Sequence, residues 1–182
     1  NKENDLFNLV FRYEFGQEDD NRYDVAAGYI DFLGTDKLSA AQLKQQFYKL
    51  ACNYSLSVQG DVIQIGLSGL GENMPQALAL LEDLLRHAKA DRDAYEQYVA
   101  LTLKNRQDVK TDQRTCFNML NYYGMYGPHN AMRDNMTEQQ LRETDPQALL
   151  DLLAGIAQFE HTVLYYGPLS EKELDKSMTE LH

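Results

Sequence analysis

The sequence predicts an α+β fold, in which one mixed or antiparallel sheet of about four or more strands carries helices on one face. Residues 6–15 alternate between apolar and mixed positions, as a strand with one buried face does. Two further alternating segments flank Gly60-Asp61, which predicts a β-hairpin. Helical spacing of apolar residues fills most of the remaining chain, before one more strand-like segment near the end.

The first strand and the two helices after it have clear boundaries. A polar loop at residues 16–21 ends the strand. Apolar residues from Tyr23 to Leu33 then recur at helical spacing, and Gly34-Thr35 stops that helix. Ser39 followed by Gln42 matches a capping box, because each side chain can satisfy a free backbone N–H at a helix start.

The middle of the chain reads as the hairpin followed by long helices. Its strands are residues 54–58 and 62–70. Asn73 and Asp91 are the predicted N-caps of the next two helices. The second of these resumes after a bend and ends at residues 124–128.

The last third holds short helices and one strand. Their predicted signals are a capping box at Thr137 and Gln140, a helix start at Asp145-Pro146, a strand at residues 160–166, a turn at Gly167-Pro168 and a capping box at Ser170 and Glu173. We expect residues 1–168 to form one α+β domain. Residues 169–182 would begin a linker or helix toward a following domain, and a helix that runs to the last residue suggests that the protein continues.

Composition limits the possible partners. The 182 residues are 43% hydrophobic, enough for one core, and carry a net charge of -11 with a pI of about 4.7. Such a surface repels phosphate backbones on average, so we expect no nucleic acid partner. It could favour cationic peptides or only aid solubility. No apolar run is long enough to cross a bilayer, and no signal peptide opens the chain; the compartment of the parent protein stays open.

The cysteines and histidines give no local metal motif. Cys52 and Cys116 are too far apart for a zinc ribbon or a disulfide framework, and we expect two half-buried thiols. The four histidines are His87, His129, His161 and His182, and no two are at helical spacing, which excludes a zinc site built from two histidines of one helix. We expect His87 near a helix C-terminus, His129 in solvent and His161 at a sheet edge.

Three other clusters have a functional and a simpler interpretation. They are a glycine cluster (Gly66, Gly69 and Gly71), an acidic cluster (Glu18, Asp19 and Asp20) and an aromatic cluster (Tyr122, Tyr123, Met125 and Tyr126). The glycines precede a helix, but their spacing matches no phosphate-binding loop, which favours a tight turn at the exit of a strand. The acidic cluster lacks the ligand pattern of a calcium loop and favours a solvated loop. The aromatic cluster could grip an extended peptide, although core packing or interface contact is the usual role.

Several short runs resemble the pitrilysin/insulinase family of zinc peptidases. They are residues 4–7 (NDLF), 32–35 (FLGT), 47–50 (FYKL), 67–73 (LSGLGEN), 122–128 (YYGMYGP) and 165–168 (YYGP). The similarity extends over nearly the whole chain, from about Asn4 to Pro168. It implies an α+β domain of the kind that repeats in these peptidases and closes into a chamber.

The resemblance also implies where a catalytic domain would carry its site. Active relatives have an inverted H-x-x-E-H motif just before a Gly-Thr pair, and residues 25–33 stand there without His or Glu. A later helix of active relatives has two Glu seven residues apart; Glu96 can match the first, but the second position is Leu103. We therefore predict no catalytic and no metal-binding residue in this chain, and leave its substrate-contacting residues unassigned.

The leading hypothesis is a non-catalytic chamber domain from the C-terminal half of a multi-domain zinc peptidase. No cofactor is expected in this domain, and zinc is expected in the catalytic domain of the same parent chain. That domain and a peptide substrate are the expected partners, and an exposed sheet edge could add the peptide as a strand. Two alternatives stay open: an inactive scaffold subunit of the same family, and a free-standing module that binds a protein or a small ligand.

Overall fold

The computed structural model describes residues 4–130 and 133–182. In these ranges one four-stranded sheet is covered on one face by helices, which confirms the α+β prediction. The elements are β1 (Leu6–Tyr13), α1 (Arg22–Ile30), α2 (Ala40–Lys49), β2 (Cys52–Gln59), β3 (Val62–Leu70), α3 (Met74–His87), α4 (Arg92–Val109), α5 (Gln113–Tyr126), α6 (Glu138–Glu143), α7 (Pro146–Ala154), β4 (Thr162–Tyr166) and α8 (Glu171–Leu181).

The sheet is antiparallel throughout, with the strand order β2-β3-β1-β4. The hairpin β2-β3 turns at Gly60, whose positive φ of 54° is cheap for a residue without Cβ. The first strand therefore lies between the hairpin and the last strand. This order leaves β2 and β4 as the two edges of the described sheet.

The core lies between the sheet and the helices. Phe7, Leu9, Phe11 and Tyr13 of β1 are buried, while the residues between them face away, so the alternation in the sequence is confirmed. On α1, the residues from Val25 to Ile30 are buried except Gly28. The helix packs mainly against α7 and β2, and so closes one side of the core.

The opposite face of the sheet is open and part apolar. The side chains of Leu6 and Tyr166 are 51% and 62% exposed. Leu164, which pairs with Val10 in the sheet, is 52% exposed. The half nearer β2 is polar, with Ser55 and Ser57 exposed. No helix of the described residues covers this face.

Most predicted helix starts are confirmed, because the capping chemistry is local. Ser39, Thr137 and Ser170 each form a complete capping box, and Asp91 accepts a hydrogen bond from the Ala94 amide. Asn73 stands at the N-cap position of α3, as predicted, but its side chain makes no capping hydrogen bond. Its amide Nδ2 donates to the Leu50 carbonyl at 2.9 Å instead, which ties the start of α3 to the end of α2.

The prediction of two half-buried thiols is wrong. Cys52, the first residue of β2, is buried, Cys116 is exposed on α5, and both thiols are free. Burial raises the pKa of the Cys52 thiol. Cys52 therefore acts as a small core side chain, in contact with Gly69, where a Cβ would lie 2.6 Å from its sulfur.

The last helix returns to the domain. Leu174 and Met178 of α8 pack against the core, and α8 lies on α3. Whether residues 169–182 lead to a following domain stays a prediction.

Candidate functional site

Helix α1 stands where the resemblance places a zinc-binding motif, and its side chains serve the core. The Tyr29 hydroxyl donates to the Asp91 carbonyl at 2.7 Å and accepts from the Asp91 amide at 2.9 Å, which fixes α1 against the start of α4. A Cβ on Gly28 would lie 2.8 Å from the Tyr98 ring, so α1 and α4 are in close approach. Burial raises the pKa of the Asp24 carboxyl, an effect that Arg106 partly offsets.

The second half of the expected motif lies on the surface of α4. Glu96 is exposed and paired with Arg92 at 3.1 Å, and Leu103 packs at the edge of the core. Across residues 4–130 and 133–182, no three His, Cys, Asp or Glu side chains are grouped so that they could hold a metal ion. The predicted lack of catalytic and metal ligands remains a prediction, and metal analysis tests it.

The structure brings the acidic loop and the aromatic cluster to one groove. Its lining includes Glu18, Tyr122, Tyr126 and the hairpin turn at Gly60. The groove encloses about 750 Å³ and is open to solvent. Sequence reasoning treated the two clusters separately, since more than 100 residues separate them.

Hydrogen bonds hold the walls of the groove in place. The Glu18 amide donates to the Gly60 carbonyl at 2.9 Å, which fixes the acidic loop to the hairpin turn. Buried Gln17 donates through Nε2 to the Asp134 carbonyl and to Asn135 Oδ1, each at 3.3 Å. The loop before α6 is thereby joined to the loop after β1.

Only part of the acidic charge at the groove is balanced locally. Arg22 binds the Asp20 carboxylate with two nitrogens, and these bonds lower the Asp20 pKa. One oxygen of Asp19 accepts from the Gly16 amide at 2.8 Å. Glu18 is exposed, so the groove presents negative charge beside two tyrosine rings whose centroids are 5.5 Å apart. Such a wall favours cationic or aromatic groups of a peptide.

Helix α5 carries an unusual amount of exposed apolar surface. None of its residues is buried. Four of its apolar side chains are each at least 62% exposed: Phe117, Leu120, Met125 and Tyr126. We call these four residues the α5 face. Of the two usual roles expected for the aromatic cluster, core packing is not found among the described residues, and interface contact stays a prediction. Exposed patches of this kind usually mark contact with another protein surface.

The histidines are placed in three different settings. His87 lies at the end of α3, as expected, and its Nδ1 is 2.9 Å from Asp83. The His129 side chain is 91% exposed, and His161 comes directly before edge strand β4, also as expected. His182 was given no role by the sequence, yet it contacts both Glu82 and His161. No sequence signal joins residues that are 100 and 21 positions apart.

Three glycines of the hairpin exit have structural roles. A Cβ on Gly66 would lie 2.6 Å from the Ser55 hydroxyl, and one on Gly71 would lie 2.6 Å from the Pro168 ring. Gly69 has a φ of 151° and lies against Cys52. At all three positions another segment of the same chain comes so close that only a glycine fits, which agrees with the predicted tight exit of the strand.

Comparison with known proteins finds relatives in structure alone. No family model and no curated protein sequence matches the chain. The M16 peptidase inactive domain from Pseudomonas fluorescens matches all of this chain with a TM-score of 0.80, 14% identity and 46% of its own length covered. The Escherichia coli periplasmic protease PqqL matches 98% of this chain (TM-score 0.76, 14% identity, 20% of its length covered). A putative M16-like peptidase from Alicyclobacillus acidocaldarius matches 97% (TM-score 0.75, 13% identity, 44% of its length covered).

These matches define the class of the fold. The chain has the fold of an M16 peptidase domain, the domain type of the pitrilysin/insulinase family, as the short sequence runs indicated. One of the matched structures is itself described as an inactive domain. The chain spans less than half the length of each of these three structures. No helix among the described residues is both long and apolar enough to cross a membrane.

Proposed function

We propose that this chain is a non-catalytic domain of a multi-domain zinc peptidase and helps to enclose the peptide substrate. The observation that carries the proposal is the match of the whole chain to an M16 inactive domain, together with an α1 whose side chains are used for packing. The parent's catalytic domain would hold zinc, which activates a water molecule for attack on a peptide carbonyl. The role of this chain is to position and confine the peptide.

The α5 face supports a role inside a larger assembly. The matched structures are about two to five times as long as this chain, so each has room for further domains. An apolar helix with no covering element in the described residues fits contact with such a domain. We therefore assign the α5 face to docking on another domain of the parent chain. A free-standing binding module is disfavoured, since it needs no large apolar face.

The groove gives the substrate role a physical basis. An extended peptide could lie along it, with a basic side chain near Glu18 and an apolar or aromatic one on Tyr122, which lies outside the α5 face. The exposed edge of β4 offers a second mode, in which the peptide adds a strand to the sheet. Both modes use surfaces that α1 and the core leave free.

Zinc analysis and peptide hydrolysis test the proposal directly. We expect the 182-residue chain alone to contain no stoichiometric zinc and to cleave no peptide. Adding it to the remainder of the parent protein should raise hydrolysis, and a chelator should abolish that activity. Hydrolysis by the isolated chain that a chelator stops would refute the non-catalytic assignment.

The inactive scaffold alternative makes a different prediction for the parent. It requires that neither the parent nor its partner contains an H-x-x-E-H motif. If the motif is absent from both and no zinc is found in the complex, the chain is a structural subunit and the hydrolytic role is excluded.

A further inference from the structure

A glycine lies within α5 at a position where the described part of the chain has no use for one. A Cβ built on Gly124 would have no heavy atom of residues 4–130 or 133–182 within 4 Å. Inside a helix, a glycine is less favourable than an alanine, because it loses more backbone freedom on folding. Gly124 therefore lowers the stability of α5, and no contact in the described residues requires it.

The end of the helix does not explain Gly124 either. Helices commonly end at a glycine with a positive φ, and α5 has that residue in Gly127, whose φ is 78°. Gly124 is not among the glycines of positive φ, so an alanine could adopt its backbone conformation. What the missing side chain provides is free space on the surface of the helix.

Two largely exposed apolar side chains lie beside that space. At 3.6 residues per turn, Phe117, Leu120 and Gly124 lie on one side of α5. The less exposed Met119 and Tyr122 lie on the other side, where Tyr122 lines the groove. We call the space over Gly124, bordered by Phe117 and Leu120, the Gly124 notch.

The composition of α5 limits what can cover the notch. Arg114 is the only Asp, Glu, Lys or Arg residue of α5, although 25% of the whole chain is charged. Few charges together with Tyr, Phe and Met are typical of the buried centre of a protein interface. A charged group placed here would lose its hydration without gaining an ion pair, so the surface that fits the notch is apolar.

We propose that the Gly124 notch receives one bulky apolar side chain from another domain of the parent protein, while Phe117 and Leu120 pack beside it. The inference rests on the proposed function, in which the α5 face docks on such a domain, and specifies how the two surfaces fit. Without a Cβ at position 124, the incoming side chain reaches the helix backbone. An isolated helix of 14 residues is marginal in water, so docking also stabilises α5.

Amide hydrogen exchange in α5 tests the notch, because Gly124→Ala should act in opposite directions in two proteins. In the dilute 182-residue chain, alanine favours the helix, and the α5 amides should exchange about two- to fivefold more slowly. In the intact parent protein, the added methyl group takes the place of the docked side chain. The α5 amides should then exchange about tenfold faster, the effect expected from overpacking.

Gly155→Ala is the matched control. Gly155 follows α7 with a φ of -68°, and a Cβ on it would also have no described heavy atom within 4 Å. The substitution is the same, but it lies outside α5. It should leave the exchange of α5 unchanged in both proteins.

Leu120→Glu distinguishes failure of the notch from failure of the docking assignment. If α5 exchanges as fast in the parent as in the chain alone, α5 is not docked, and the docking assignment fails together with the notch. If Leu120→Glu speeds exchange in the parent but Gly124→Ala does not, the α5 face docks and the notch is not filled. If Gly124→Ala only weakens self-association of the concentrated chain, a second copy fills the notch, which also overturns the inference.

Discussion

Replacing Leu120 by glutamate should separate docking by the α5 face from folding of the domain. Leu120 is 66% exposed, and no residue of α5 is buried. A charged side chain at this position should therefore change the free energy of unfolding very little. Substitutions at such surface positions change the free energy of unfolding by within about 0.5 kcal/mol. In a docked complex, however, the same side chain would leave water, and burial of a leucine contributes about 1.5–3 kcal/mol.

The expected loss of affinity follows from that burial. Removing about 2 kcal/mol weakens binding about 30-fold, and the cost of burying a carboxylate adds to it. The matched control is Tyr48→Glu, because Tyr48 is 86% exposed but lies on α2, outside the α5 face. The two variants introduce the same charge at positions that are both largely exposed.

Sedimentation velocity is the assay, first on the chain alone and then with the remainder of the parent. We expect self-association of the unmodified chain that rises with concentration, a monomer for Leu120→Glu, and no change for Tyr48→Glu. Urea midpoints should agree among all three. A Leu120→Glu variant that binds the remainder of the parent as tightly as the unmodified chain does, or one that unfolds at lower urea, would show that the α5 face is not a docking surface.

Three further predictions concern the fold. Tyr29→Phe removes both hydrogen bonds to Asp91 and should lower the free energy of unfolding by about 1–3 kcal/mol in urea titrations, whereas Tyr48→Phe should leave it unchanged. Ser39→Ala removes a capping box and should cost about 1 kcal/mol by the same measurement; a loss below about 0.3 kcal/mol would contradict the capping role. Burial raises the pKa of Tyr98 to about 12, so its contribution to stability is complete below the unfolded value of about 10 and is lost as the pH rises toward 12; Tyr98→Phe should flatten the alkaline fall in stability, and an equally steep fall would refute that assignment.

Features set by neighbouring residues could be predicted from the sequence. The capping boxes at Ser39, Thr137 and Ser170 depend on side chains three residues apart, and the alternation in β1 depends on the two-residue repeat of a strand. Asn73 has equally good capping chemistry, but its amide finds the Leu50 carbonyl across the fold. A tertiary contact overrode a local preference there, and no local pattern reveals it.

The candidate site was beyond local reasoning for the same physical reason. Glu18 and Tyr126 line one groove because the fold brings the loop after β1, the hairpin turn at Gly60 and the end of α5 together. His161 and His182 meet because α8 folds back along α3. Periodicity shows that α5 has an apolar face but not whether this chain covers it, so the sequence could not separate core packing from interface contact.

The packing of α1 explains why the missing zinc motif cannot be restored by a few substitutions. The motif H-x-x-E-H places its three key residues at relative positions one, four and five, which allows five placements within residues 25–33. Four of these put at least two ionisable groups at buried positions, where an unpaired charge costs several kcal/mol. The fifth begins at Gly28, where even a Cβ would lie 2.8 Å from the Tyr98 ring. Each placement therefore sets metal binding against the core, and we expect variants carrying the motif to lose stability before they gain zinc.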